Sequence, residues 1–149
     1  MHEKELEYFQ ESLYHINNQF YVDAIKGFQD FINEFPQSDL VDDSMYNTGL
    51  CYYEMNQFKK SIEVLEDMIQ KYPDATITSL GNANESGKTA AKAYYLIVQC
   101  YLGLGDIKKA ESVIPILEGY NDTYVEKNAE KFSFAQLADD SIIKFKNIK

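Results

Sequence analysis

The chain of 149 residues contains no tryptophan and no arginine, so all 14 of its cations are lysines, set against 24 carboxylates. Nucleic-acid binding leans on basic surface and on the guanidinium fork. A net charge of −10 without a single arginine sets that class aside. Cysteine is scarce as well. Cys51 and Cys100 form no CxxC pair, and only His2 and His15 could join them, so neither a disulfide framework nor a metal site is expected, and no cofactor. Both cysteines read as buried thiols that pack as small hydrophobes. No stretch approaches the roughly 20 apolar residues of a membrane-spanning helix, so membrane insertion is not expected. The opening MHEKELEYFQ is charged and has no apolar leader segment. That points to the cytoplasm, or to the periplasm if a leader has been removed. The acid excess is confined to one half: residues 1–75 hold 15 acids and 5 lysines, residues 76–149 hold 9 of each. Most of this charge reads as solvated outer face; the sharper reading is a partner with a basic patch.

What the chain does have is aromatic and aliphatic bulk in a repeated order. Hydrophobic residues make up 45%, with 12 tyrosines and 9 phenylalanines, enough for one domain with a real core. The stretch Met45–Pro73 recurs on both sides of itself. A shift of 37 residues back lays Phe58 on Tyr21, Ser61 on Ala24, Ile62 on Ile25, Leu65 on Phe28, Met68 on Phe31 and Pro73 on Pro36. A shift of 49 forward lays Cys51-Tyr52 on Cys100-Tyr101 and Lys59-Lys60-Ser61 on Lys108-Lys109-Ala110. Within each copy apolar residues recur at helical spacing, break at Asn18-Gln19, Asn56-Gln57 or Leu104-Gly105-Asp106, and resume. Each unit is therefore a two-helix hairpin. Such a hairpin cannot bury its stripe alone and must stack on a copy of itself.

This pattern resembles the tetratricopeptide repeat. Gly49 on the first helix faces the small side chain Ser61 on the second, Tyr52 is the aromatic and Pro73 the closing proline. The equivalents are Ser12, His15, Ala24 and Pro36 in the first copy. In the third they are Val98, Tyr101 and Ala110, with Asp122 where proline is expected. The resemblance implies an all-α fold: a right-handed superhelix of three helical hairpins plus a C-terminal capping helix, in one domain. The spacing, with Phe35-Pro36-Gln37-Ser38 and Tyr72-Pro73-Asp74 at helix ends, is also similar to repeat proteins of bacterial envelopes, the Tol–Pal-associated and outer-membrane assembly proteins. Expected bounds are repeat 1 at about 3–36, repeat 2 at about 39–73, an insertion at 74–88, repeat 3 at about 89–120 and the capping helix at about 123–147. Ser38 or Asp39 should cap the third helix, with Asp42 and Asp43 in its first turn, where the helix dipole favours anions. Pro115 should kink or shorten the helix that holds it. The capping helix also offers a surface for a homo-oligomer.

Two stretches bear on chemistry. Gly81 to Thr89, GNANESGKT, has the look of a phosphate loop, but five residues separate its glycines where the pattern needs four, and no alternating strand–helix chain surrounds it. A nucleotide-binding enzyme is thus the remote alternative, and no catalytic residues are expected. The better lead is the concave groove that the family builds from its first helices. The groove positions are Phe9, Leu13 and Ile16, then Tyr46, Asn47, Leu50 and Tyr53, then Lys92, Tyr95, Gln99 and Leu102. The family's carboxylate clamp for acidic chaperone tails needs lysine, two asparagines and further basic residues. Asn47 and Lys92 match two clamp positions, but Phe9, Leu13 and Leu96 occupy the others. The expectation is a non-enzymatic adaptor or scaffold that binds a peptide or helix of a protein partner through Phe9, Tyr46, Asn47, Tyr53, Lys92, Tyr95 and Gln99. A small acidic chaperone for a secreted or assembling client is the alternative.

Overall fold

The computed structural model describes residues 3–78 and 84–148. Among them are seven helices. α1 (Glu3–Asn17) pairs with α2 (Tyr21–Glu34), α3 (Val41–Glu54) with α4 (Phe58–Lys71), and α5 (Thr89–Gly103) with α6 (Ile107–Glu118); α7 (Phe134–Ile148) follows. The fold is an all-α superhelical repeat with one small accessory sheet.

Each hairpin turns at the same place. Gln19, Asn56 and Gly105, related by the two repeat shifts, hold φ of 64°, 59° and 76°. This left-handed step lets the next residue fold back: Phe20, Gln57 and Asp106 donate their N–H groups to the carbonyls of His15, Tyr52 and Tyr101, each at 2.8 Å. The bonds form a Schellman closure that satisfies carbonyls otherwise orphaned at a helix end. Close approach within the hairpin depends on small residues. The buried Ser61 hydroxyl donates to the Gly49 carbonyl at 2.7 Å. A Cβ on Gly49 would lie 2.7 Å from Leu65 Cδ2, so alanine there would displace the core.

The core forms between hairpins. One cluster joins Phe9, Phe28 and Phe31 of the first hairpin to Val41 and Cys51 of the second. The other joins Ile62, Leu65 and Met68 of the second to Leu96, Ile97 and Cys100 of the third and to Phe134, Ala138 and Ile142 of α7. Each fully buried side chain of this kind contributes roughly 1.5–3 kcal/mol. Both cysteines are free and buried. Burial pushes the Cys51 thiol up to about 12 and the Cys100 thiol up to about 11, so neither is a nucleophile at neutral pH.

Several local expectations need correction. The N-cap of α3 is Leu40, which makes no side-chain cap; the Ser38 hydroxyl instead accepts from the Leu40 N–H at 3.1 Å and donates to Glu5 at 3.3 Å. Pro115 sits inside α6, which continues to Glu118 and, at 12 residues against 14 for α2 and α4, is shortened and not ended at the proline. The last helix does not begin near Thr123. Tyr124–Lys127 (β2) and Glu130–Ser133 (β3) pair as an antiparallel hairpin, and α7 starts only at Phe134. Asn128 and Ala129 join the strands with φ of 52° and 66°, the backbone of a two-residue turn that matches strand twist. The insertion is also paired where it is described. Glu85–Ser86 (β1) adds to β2, with Glu85 opposite Val125, and Thr76 bridges Lys88. Gly87 makes this possible: it holds φ +116°, and a Cβ there would fall on the backbone and side chain of the buried Thr123. No described helix is long and apolar enough to cross a membrane.

Two substitutions test this sheet with opposite signs. Gly87→Ala should lower unfolding free energy by about 1–3 kcal/mol, from strain and overpacking. Ala129→Gly should raise it by roughly 1 kcal/mol, because it relieves a left-handed non-glycine residue. Urea denaturation of both variants reads the two shifts; a stabilising Gly87→Ala would contradict the placement of the insertion.

Candidate partner-binding face

The first helices α3 and α5 lie side by side, α1 joins them at one recess through Phe9 and Leu13, and α7 packs on α5 and α6. The Tyr95 ring stands 5.5 Å from the Phe134 ring, and Gln99 Nε2 donates to the Ser141 hydroxyl at 3.0 Å. The face carries two recesses of different character.

The first is apolar and lies at the C-terminal ends of α3, α5 and α7. Tyr53, Phe58, Leu102, Gly103, Phe145 and Ile148 form most of it, with Gln99, Ser141 and Lys144 as the polar members, and its volume is about 360 Å³. The Tyr53 and Phe58 rings pack at 5.7 Å. Phe58 comes close because Gly103 has no Cβ, which would meet its ring at 2.5 Å. Ile148 is 85% exposed at the rim.

The second is polar, about 200 Å³, and lies at the N-terminal ends of α3 and α5, walled by Phe9, Leu13, Ile77, Thr78, Asn47, Asp43, Glu85 and Lys92. Lys92 Nζ lies 3.0 Å from Glu85 and 4.3 Å above the Tyr46 ring. Burial pulls the Lys92 ammonium down, but Tyr46, Glu85 and Asp43 more than offset it, and its pKa stands above the ordinary lysine value. Asp43 is buried, and its Oδ2 has no hydrogen-bond partner. Burial and the neighbouring Asp42 push its carboxyl up to about 7, although hydrogen bonds from Thr78 and the charge of Lys92 pull the other way. Asp42 is also raised by burial, but its Oδ2 accepts from the buried Thr89 hydroxyl at 2.6 Å.

The residues read from the sequence as one tyrosine-rich strip are divided by this geometry. Tyr53 and Gln99 line the apolar recess; Asn47 and Lys92 line the polar one. Tyr46 lies under Lys92 and Tyr95 against α7, so these two rings are engaged within the chain. Phe9 is only 3% exposed and packs on the Phe28 and Phe31 rings at 5.6 and 6.0 Å, which makes it a core residue that also closes one recess wall. The two clamp-like residues are committed as well: Lys92 to Glu85, and Asn47, whose Nδ2 donates to the Asp43 carbonyl at 2.8 Å. Asp43, Phe58, Glu85 and Ser141 belong to the recesses without having stood out in the sequence. Asp43, Asn47 and Leu50 do share one helical face, the signal that could have revealed the first.

Of the glycine-rich stretch, Gly81, Asn82 and Ala83 lie outside the described residues, as do His2 and Lys149. The remainder has structural work: Gly87 packs on Thr123, Lys88 Nζ lies 3.6 Å from Asp74, and the Thr89 hydroxyl is held by Asp42. Among the described residues no cluster of metal-ligating side chains occurs.

Comparison with known proteins agrees with the architecture. Tetratricopeptide-repeat family models match residues 43–75 and 91–114. Among solved structures, the TPR2AB domain of yeast Sti1 in its pHSP90 complex superposes with a TM-score of 0.69 at 13% identity, over 97% of this chain and 48% of that one. The Hsp90 co-chaperone Cns1 of Saccharomyces cerevisiae gives 0.67 at 14%, over 99% and 40%. The type III secretion translocator chaperone SycD of Yersinia enterocolitica gives 0.60 at 15%, over 99% and 85%. Residues 43–75 and 91–114 are tetratricopeptide repeats, and the chain has the fold of tetratricopeptide-repeat structures. It spans half or less of the two yeast chains, and no curated protein matches it. These matches carry the repeat family, not the narrower resemblance to bacterial envelope proteins.

Asp43 provides a pH test of the polar recess. The unfolded carboxyl ionises near 3.9, but in the fold it keeps its proton to about 7. The fold therefore loses stability progressively as pH rises between those values, and the loss is constant above them. Asp43→Asn removes this slope. It should match the native chain near pH 4 and exceed it by up to about 4 kcal/mol at pH 8, since the shift is about three units and one pKa unit is about 1.4 kcal/mol. Parallel stability profiles for the two proteins would refute a raised Asp43.

Proposed function

We propose that this protein is a non-enzymatic adaptor or scaffold that holds a peptide or helix of a partner protein against its concave face. The observation that carries the proposal is the apolar recess of about 360 Å³ among Tyr53, Phe58, Leu102 and Phe145, open to solvent on a face made of repeat helices. A recess of aromatic and aliphatic walls with a few polar members suits an apolar anchor side chain, with Gln99 and Ser141 near enough to hydrogen-bond a backbone. Tyr53 and Gln99 are the anchor-binding residues in this reading. Asn47 and Lys92 belong to the second recess, and Phe9, Tyr46 and Tyr95 hold the walls in place.

A chaperone for a partly unfolded client is the second reading. It is favoured by the likeness to the secretion chaperone, which this chain matches over 85% of that protein's length. The two readings differ in the state of the partner, folded for an adaptor and unfolded for a chaperone, which limited proteolysis of the captured complex separates.

Capture from the native host with wild-type and variant protein tests the common element. Tyr53→Ala should cost about 1–3 kcal/mol of partner binding, the range for a central interface aromatic. Ile148→Asp, at a position 85% exposed, should weaken binding without disturbing the fold. A Tyr53→Ala/Ile148→Asp protein that stays folded and binds its partner with full affinity would remove the groove from the account.

A further inference from the structure

We propose that the polar recess among α1, α3 and α5 receives a lysine or arginine side chain of the same partner segment whose apolar anchor fills the other recess; this rests on the groove reading above. Two carboxylates, Asp43 and Glu85, face this recess with one lysine, Lys92. Glu85 takes the lysine at 3.0 Å, and the Tyr46 ring covers it at 4.3 Å. Asp43 is left 8% exposed with an Oδ2 that meets no donor. A buried carboxyl oxygen without a partner is uncommon, and burial holds a proton on this group until a cation comes beside it. The group that completes it is a cation with N–H donors. An anionic ligand would set like charges together in a desolvated site. Phe9, Leu13 and Ile77 supply apolar wall for the methylene stem of a long basic side chain, and Thr78 and Asn47 add polar atoms near its head. About 200 Å³ suits one side chain and not a folded segment.

The geometry also sets a spacing. Asp43 and Tyr53 are ten residues apart on α3, which at 1.5 Å per residue is about 15 Å along its axis. The apolar recess is also displaced by one helix, about 8–10 Å across the face. The two are then about 18 Å apart, or roughly five to six residues of extended peptide at about 3.3 Å each.

The test is selection of a random dodecamer peptide library on the purified full chain at neutral pH, followed by affinities of synthetic copies. Enriched peptides should share an apolar anchor and a Lys or Arg about five to six positions away. Replacing that residue by norleucine or citrulline should cost at least tenfold in Kd on the wild-type chain. On Asp43→Asn the same replacement should cost less than twofold, while sensitivity to Tyr53→Ala persists. Asn47→Lys, which places a cation in the recess itself, should abolish the basic preference and serves if Asp43→Asn fails to fold. Peptides that depend on Tyr53 but tolerate the neutral replacement would overturn this assignment and leave the groove reading standing. A library that yields no peptide sensitive to Tyr53→Ala would overturn both.

Discussion

The stacking of one helical hairpin on the next is the constraint on which the molecule depends, because a single hairpin leaves its apolar stripe in water. Equivalent positions show how strictly it acts. Phe31, Met68 and Leu117 differ in shape yet are all almost completely buried. Cys51 and Cys100 are fully buried where they face a preceding hairpin, but Tyr14 at the equivalent position of the first is 61% exposed. Around Tyr14 the chain changes chemistry accordingly. Lys4, Glu7 and Glu11 are exposed and charged where Val41 and Ala90, Ser44 and Ala93, and Thr48 and Ile97 are buried. A surface that receives a neighbour is written in small and apolar residues; one that meets solvent is written in charge.

The accessory sheet alters what stacking alone would produce. Residues 74–88 leave the repeat after α4, and their described parts pair with β2, so a segment after the third hairpin is tied to one before it. Thr123 is the fastening point, accepting from the Lys88 N–H at 2.9 Å beside Gly87. Asp42 and Thr89 make a second tie between the second and third hairpins, buried at 2.6 Å. The same insertion brings Glu85 onto Lys92, so a lysine that would otherwise point into an open groove becomes an internal partner. One end of the concave face is thus walled and polar, and the other remains apolar and open.

The hairpins, their turns and the core stripes were legible in the sequence because they rest on local rules. Helical spacing of Ile62, Leu65, Met68 and Ile69 requires a buried face, and Asn56 or Gly105 tolerates the left-handed step that ends a helix. The β2–β3 hairpin was hidden because its turn is Asn128-Ala129, without the glycine that marks such turns, and its strands are four residues long. They pair with each other, and β2 also pairs on its other edge with Glu85–Ser86, a contact spanning some forty positions that no local pattern records.

The candidate site divides along the same line. The sequence by itself determined which residues belong to the first helices and which apolar groups they carry, since periodicity assigns faces. Only the tertiary structure decided which groups stay free. Tyr95 meets α7, Tyr46 lies beneath Lys92, and Lys92 is taken by Glu85 from the insertion, so three residues of an apparent binding strip are engaged internally. Asp43 reads in sequence as an ordinary first-turn acid, stabilised by the helix dipole in water. Burial against the insertion and α1 makes it a carboxyl with an unmet oxygen, because desolvation depends on what packs above a residue and not on the residues beside it in the chain.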